Sequence, residues 1–275
     1  EEILALGHEM KVFEAATCDA TADLSNICVI RLDGHCFRTF TKGFARPYDL
    51  RIHRAMISTA ADCLERFGAA TAYTESDEIS LLFAPASSKA SPSLPFNGRV
   101  QKLCSVTAGF ASARFNRHML MEKYSATEAM LQERVDRSEA HFDSRVFSLP
   151  SIEKAVAYMR WRAVHDCRRN SITMLAQAHF PAERLERVDA RSVMKLLIDE
   201  KGIDWREQPA FFKFGTYLKK EEYHKVAFNP HLREEVLARR TRVVARSFEL
   251  QDVEAERFLL AQFWPWGSGS GLGVS

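Results

Sequence analysis

Apolar and β-branched residues crowd the segment Asn26 to Leu32 (N-I-C-V-I-R-L) and stop at Asp33-Gly34, which predicts a buried strand ending in a turn. From Leu50 to Phe67 the apolar positions Ile52, Met56, Ala60, Cys63, Leu64 and Phe67 recur at intervals of three and four, and Gly68 follows, so an amphipathic helix with a C-terminal stop is expected. Ala69 to Phe83 holds two strand-like runs around a polar tip and reads as a β-hairpin. The Pro- and Ser-rich stretch Ala84 to Pro95 reads as a mobile loop. A second helix is expected from Asn97 to about Met121, a strand from Phe142 to Leu149, and a further helix opening at Pro150-Ser151. Strand, helix, hairpin, helix, strand, helix is the order of an α+β domain: one antiparallel sheet with helices packed on one face.

Beyond Ala178 charge becomes denser. A helix is expected from Asp189 to Lys201, stopped by Gly202, followed by an aromatic strand-like run from Phe211 to Leu218 and a basic stretch at Arg239, Arg240 and Arg242. The expected organisation is therefore a catalytic-size domain over residues 1–178, a helical and charged C-terminal subdomain over 179–266, and a flexible Gly/Ser tail over 267–275.

Composition narrows the classes. With 275 residues, 38 Lys and Arg against 36 Asp and Glu, and 46% apolar residues, the chain has material for a sizeable core and is excluded from the disordered class. Its longest apolar stretches, such as Ile27 to Ile30 and Ile79 to Phe83, fall far short of the roughly 18 residues that cross a bilayer, so no membrane partner is expected. Six scattered cysteines without a C-x-x-C pair argue against a zinc ribbon and read as small buried hydrophobes in a reducing cytosol. Glu1-Glu2-Ile3 lacks the basic start of a secretory signal, and a cytoplasmic location is the expectation. A net charge of +2 permits nucleic-acid binding without demanding it.

The candidate chemistry lies in two acidic sites at strand ends. Asp33 closes an otherwise apolar strand, and Asp77-Glu78 occupies the hairpin tip. Charges at the ends of buried strands are costly unless they meet cations, and two such sites on neighbouring strands form an oxygen cage suited to Mg²⁺. Gly34, without a Cβ, lets its own carbonyl approach a metal or a phosphate. Two Mg²⁺ ions held by shared carboxylates are a standard device for phosphoryl transfer. Asp-Gly is also the commonest turn dipeptide and Ser-Asp-Glu an ordinary hairpin tip, so neither site speaks alone. The surrounding cations favour chemistry: Arg31, Arg38, Lys42 and Arg46 flank or follow the first strand, with Arg46 held before Pro47, and Arg99 and Lys102 open the second long helix, where the helix dipole also favours phosphate. No Gly-rich phosphate loop occurs, so a triphosphate would be held by metal and cationic side chains. On the helix after Pro150, Arg162, Asp166 and Asn170 recur at four, with Trp161, His165 and Arg169 along the shoulder. They line a groove for a base or RNA, or Arg162 and Asp166 form a plain helix pair.

Six segments taken together, R-L-D-G-H-C-F (Arg31 to Phe37), F-A-R-P-Y-D (Phe44 to Asp49), A-Y-T-E-S-D-E-I-S (Ala72 to Ser80), K-L-C-S (Lys102 to Ser105), F-D-S-R-V (Phe142 to Val146) and W-R-A-V-H-D-C-R-R-N (Trp161 to Asn170), resemble the tRNA-histidine guanylyltransferase family of 3′-to-5′ nucleotide polymerases, in the family's order. The resemblance implies a palm-like catalytic domain similar to those of DNA polymerases and nucleotide cyclases. It implies two Mg²⁺ ions on Asp33, Asp77 and the Gly34 carbonyl, with Glu78 beside them as a further catalytic candidate. It also implies a nucleotide- and triphosphate-binding set of Gly34, His35, Cys36, Phe37, Arg38, Arg46, Asp49, Ser76, Arg99 and Lys102, although His35 and Cys36 read by themselves as packing or turn residues. Arg46 stands where the family usually has Lys, which keeps the charge and changes its geometry. The segment Asp166-Cys167-Arg168-Arg169-Asn170-Ser171-Ile172-Thr173-Met174 departs from the D-C-H-I-N-N-L-Y-N of eukaryotic members, so the chain looks closer to the guanylyltransferase-like branch that repairs 5′-truncated tRNAs on a template.

The expected function is thus nucleotide addition to the 5′ end of tRNA, with ATP and GTP as substrates, tRNA as partner and, by resemblance only, a homotetrameric assembly. A palm-fold nucleotide cyclase and a tRNA-binding protein without catalysis are the rivals.

Overall fold

Strand β1 (Ile27–His35) forms where the apolar run predicts it, and the computed structural model, which describes residues 10–12, 18–86, 94–229, 231 and 233–265, places it in the interior of the sheet, one strand from the edge. After one helical turn at Phe37–Phe40 the chain enters α1 (Leu50–Phe67). Asp49 caps that helix by accepting the Arg51 N–H, and Gly68, at φ 74°, ends it in the left-handed conformation expected of a C-terminal glycine. The hairpin follows as β2 (Thr71–Glu75) and β3 (Glu78–Phe83), then α2 (Val100–Leu120), α3 (Ala129–Asp136) and β4 (His141–Leu149). Ser151 caps α4 (Ile152–Arg160), which runs through a π-helical turn, Trp161–Asp166, into α5 (Cys167–His179). Helices α6 (Ala190–Lys201) and α7 (Ala210–Phe214), strands β5 (Thr216–Asn229) and β6 (Glu234–Arg246) and helix α8 (Asp252–Leu260) complete the order. No helix among the described residues is long and apolar enough to cross a membrane. Residues 87–93 of the expected loop, and all of the expected tail, lie outside the described residues.

The six strands form one antiparallel sheet in the order β4-β1-β3-β2-β5-β6. Side chains alternate between its faces with period two. Cys28, Ile30, Leu32, Ile79, Leu81 and Ala72 point to the face covered by α1 and α2, where they meet Met56, Leu64, Leu103 and Phe115. Val29, Leu82, Tyr73 and Tyr217 point the other way, and this face has its own cover: Tyr158 and Met159 of α4 with Phe258 and Leu259 of α8. The expected helical layer on one face is present, and a second layer lies behind it. That second cover explains why β1 reads as a continuous apolar run, since both of its faces are buried.

One expectation for the C-terminal part changes. The aromatic run from Phe211 to Leu218 is split: Pro209 and Ala210 open the short helix α7, and Gly215 turns the chain into β5. The basic stretch lies on β6. Strand β5 pairs with β2, so the segment after Ala178 contributes two strands to the central sheet, while α6, Trp205 and Phe212 pack with α5 in a third apolar cluster.

Gly215 sits at φ 71°, ψ −167°, a region open to glycine alone, and a Cβ there would run into the Tyr73 ring and hydroxyl. That hydroxyl donates to the Phe214 carbonyl at 3.1 Å. Gly215→Ala is expected to lower stability by at least about 1–3 kcal/mol, read as a shift in the urea unfolding midpoint; an unchanged midpoint contradicts the close packing of α7 on β2.

Candidate active site

Register builds the acidic centre. Asp33 lies opposite Glu78 across β1 and β3, and Glu78 lies opposite Glu75 across β3 and β2. Directly opposed residues share a face, so three carboxylates stand in a row on the sheet. Ser76, at φ 50°, turns the hairpin tip, and the Gly34 N–H donates to the Asp77 carbonyl at 3.0 Å, joining the two acidic segments. The Ser76 hydroxyl donates to the Asp77 carboxylate at 3.0 Å. Burial, aided by the negative charge of Asp33, pushes the Asp77 carboxyl above its ordinary pKa. Gly34 is required because a Cβ would penetrate the Phe37 ring. The segments that carry Asp33, Gly34 and Asp77 thus lie side by side.

An arginine organises the row. The Arg162 guanidinium bonds the carboxylates of Glu78 and Asp166 and lies 3.7 Å from that of Glu75. It is buried because the Trp161–Asp166 turn is widened: the Cys167 N–H donates to the Arg162 carbonyl five residues back. Of the two readings of Arg162, Asp166 and Asn170, the groove is corrected and the Arg162–Asp166 helix pair is present. Arg162 and Asp166 are buried in an ion-pair network and only Asn170 reaches open space, its amide donating to Glu75 at 3.4 Å. Glu78, a further catalytic candidate, is paired with Arg162. Glu75 was not singled out by sequence, since it reads as part of an ordinary hairpin tip. The available signal was an acid closing a wholly buried strand. Burial and the charge of Glu78 push its carboxyl up to about 8.

Beside Glu75 and Asp77 opens a cavity of about 640 Å³. The segment from Phe37 to His53 supplies one wall, with Arg38, Lys42 and Arg46 as its cations. The hairpin tip supplies Thr74 to Asp77, helix α5 presents Cys167, Asn170, Ser171 and Met174 at helical spacing, and α7 adds Phe211 and Phe212. Of the expected nucleotide set, Phe37, Arg38, Arg46, Asp49 and Ser76 line this space. The Asp49 carboxylate is already engaged, pairing with Arg51 at 2.8 Å and accepting the Ala45 N–H. His35 and Cys36 are exposed and off the cavity; the His35 ring lies 4.9 Å from that of His141. Arg99 and Lys102 are also exposed and off it. Helix α2 meets β4 with Thr107 on Ser144, which lies opposite Leu32, so residues one to two turns earlier lie toward the start of β1, away from Asp33. The stack of His53 on Phe211, with ring centres 3.8 Å apart, was not anticipated, because its two members are remote in sequence.

The donor chemistry suits a hard cation. Among the described residues no group of three or more His, Cys, Asp or Glu side chains stands at ligand spacing. Even with Glu75 protonated, the four carboxylates of Asp33, Asp77, Glu78 and Asp166 outnumber the three guanidinium groups of Arg31, Arg162 and Arg169. One Glu78 oxygen and the Arg31 Nε are buried without hydrogen-bond partners, 3.8 Å apart. Uncompensated negative charge beside an open cavity is what a divalent ion would relieve.

A family model described as tRNAHis guanylyltransferase matches residues 7–150. An uncharacterized protein of Acanthamoeba polyphaga mimivirus is 33% identical over 230 residues, spanning 78% of this chain and 77% of its own. A solved structure of a bacterial tRNA(His) guanylyltransferase-like protein in complex with ATP aligns with a TM-score of 0.74 and 29% identity, over 92% of this chain and 98% of that one. Another, in complex with GTP, aligns with a TM-score of 0.67 and 27% identity, over 93% and 99%. The expected palm-like α+β fold agrees with these likenesses.

Removing the guanidinium in Arg162→Ala would leave buried Glu78 with only the 3.8 Å contact to Arg31 and Asp166 with only the exposed Arg169, and a loss of about 3–5 kcal/mol is expected, measured by chemical denaturation. A loss under about 1 kcal/mol would show that the network is not under tension. His53 gives a pH test. Burial, helped by the neighbouring Arg54, pushes its imidazole down to about 4. Below the ordinary value near 6.5 the unfolded chain takes up a proton that the folded chain refuses, so stability falls as pH drops from about 6.5 toward 4. In His53→Phe that part of the slope should vanish in urea titrations at pH 7.5 and 5; an identical slope in both proteins refutes the assignment.

Proposed function

This chain belongs to the tRNAHis guanylyltransferase family, and from that premise we propose that it is a nucleotidyltransferase that extends the 5′ end of tRNA in the 3′-to-5′ direction. The single observation that carries the proposal is the cavity in which Arg38, Lys42 and Arg46 face the hairpin-tip carboxylate Asp77. Three cations along one wall match the charge of a triphosphate, and the Arg46 guanidinium offers a fork of donors where an ammonium would offer a point charge. Asp33, Asp77 and the Gly34 carbonyl would hold Mg²⁺, which when bound neutralises phosphate charge and makes a hydroxyl a better nucleophile.

In this scheme a 5′-monophosphate is first adenylylated: its oxygen attacks the α-phosphorus of ATP and pyrophosphate leaves. The 3′-oxygen of the incoming GTP or other NTP then attacks the activated 5′-phosphorus. A phosphorus–oxygen bond forms, the bond to AMP breaks with its electron pair, and the hydroxyl proton passes to solvent. A 5′-triphosphate needs no first step and releases pyrophosphate. Arg38, Lys42 and Arg46 stabilise charge that grows on the leaving group. Arg99 and Lys102, off the cavity, are assigned to phosphates of the RNA. Template-directed repair of truncated tRNA is the favoured form, because Arg168 and Arg169 stand where the eukaryotic signature differs. A homotetramer rests on the family resemblance, and a cytoplasmic setting fits six scattered cysteines without a C-x-x-C pair.

Extension of a 5′-truncated tRNA with ATP, GTP and Mg²⁺ tests the proposal. The chain should lengthen the RNA at its 5′ end, and Asp77→Ala should cut the rate by more than about 100-fold. Undiminished extension by Asp77→Ala, or cyclic nucleotide formed from ATP or GTP without RNA, overturns it.

A further inference from the structure

The cavity accounts for one side of the acidic row. On the other side stands Trp161, the first residue of the π-helical turn, whose surface is 49% exposed. It does not line the cavity, and Arg162 stands between: its guanidinium carbon is 5.0 Å from the indole centre, while the same guanidinium is 3.7 Å from the cavity-lining Glu75. The indole is held in place. One face rests on Arg162 and its edge meets the Tyr158 ring at 6.2 Å and 65°. The Tyr158 hydroxyl in turn shares a hydrogen bond of 2.9 Å with Ser80, which lies opposite Arg31, and Arg31 reaches Asp33 at 3.8 Å. A short chain of fixed contacts therefore ties the indole to the carboxylates, while about half of the residue stays exposed to solvent. His165 and Arg169 follow on the exposed side of the same turn and helix, with the Arg169 guanidinium 3.0 Å from Asp166 and its side chain largely exposed.

A transfer between two substrates needs both to converge on the same carboxylates, and the cavity takes one. We propose that Trp161 is the stacking platform for the base of the 5′-terminal nucleotide of the acceptor RNA, with His165 and Arg169 along the path of its backbone; this rests on the nucleotidyltransferase reading above. An aromatic face with adjacent cations is the general solution for holding single nucleotides of RNA without reading their sequence. The alternative occupant, the base of the incoming nucleotide, belongs to the cavity on the far side of Arg162.

The test uses a 5′-truncated tRNA whose 5′-terminal residue is 2-aminopurine, a base that loses fluorescence on stacking. Binding by the full chain should quench it. Trp161→Ala should abolish the quench and weaken RNA binding by about 5- to 100-fold, Trp161→Phe should retain much of both, and ATP and GTP affinities by equilibrium dialysis should stay within about twofold of the parent, within ordinary surface-substitution effects. The indole is half exposed, so its removal opens no core cavity, and the circular dichroism of the variant should match the parent. Unchanged quenching and RNA affinity in Trp161→Ala overturn the inference, as does a loss of ATP or GTP affinity with RNA binding intact. If extension is abolished by Asp77→Ala while Trp161→Ala behaves as the parent, only the platform falls. If Asp77→Ala also extends RNA normally, the nucleotidyltransferase reading falls with it.

Discussion

The Arg162 guanidinium is the group on which the acidic centre depends. It is buried, and it holds together carboxylates from three separate places: Glu75 at the end of β2, Glu78 at the start of β3 and Asp166 within its own turn. Strand register alone would bring Glu75, Glu78 and Asp33 side by side, and like charges so placed repel. The guanidinium makes that juxtaposition tolerable and fastens the sheet to the α4–α5 helical segment. The π-helical turn is part of the same device, because the extra residue delivers Arg162 inward while Trp161 stays on the surface.

Once the row is held, an imbalance of charge follows. Arg31, Arg162 and Arg169 do not neutralise all of the surrounding carboxylates, burial and the charge of Asp33 raise Asp77 above its ordinary pKa, and one Glu78 oxygen has no hydrogen-bond partner. Structures that bury charge purely for stability satisfy each group; a centre left short of cations and open to a cavity is instead arranged for something that arrives. The cavity wall opposite carries Arg38, Lys42 and Arg46, so the site joins an anionic floor that suits a divalent ion to a cationic wall that suits phosphate. The two sit next to each other in the manner phosphoryl transfer requires.

The C-terminal part of the chain takes a direct share in this site. Phe211 and Phe212 of α7 close the cavity, and Gly215 lets the chain pass Tyr73 and enter the sheet as β5. The family model ends at residue 150, before both Arg162 and α7, so the matched segment supplies Asp33, Gly34 and Asp77 while later residues supply the guanidinium and the aromatic wall.

Local chemistry wrote much of this molecule into its sequence. Strand β1, helix α1 with its Asp49 and Gly68 caps, and the β2–β3 hairpin are each specified by side-chain periodicity and by residues that start or stop an element, which neighbours along the chain decide. Asp33, Gly34 and Asp77 were legible for the same reason: a charge at the end of an apolar strand is conspicuous. What the fold alone decided concerns partners remote in sequence. That Glu78 is bound by Arg162, that Glu75 lies buried in the cavity wall, that His53 stacks on Phe211, and that Arg99 and Lys102 lie off the cavity all depend on strand register, on how α2 lies along β4 and on one widened helical turn. These are relations among distant segments, set by how whole elements pack, and no periodicity within a single segment encodes them.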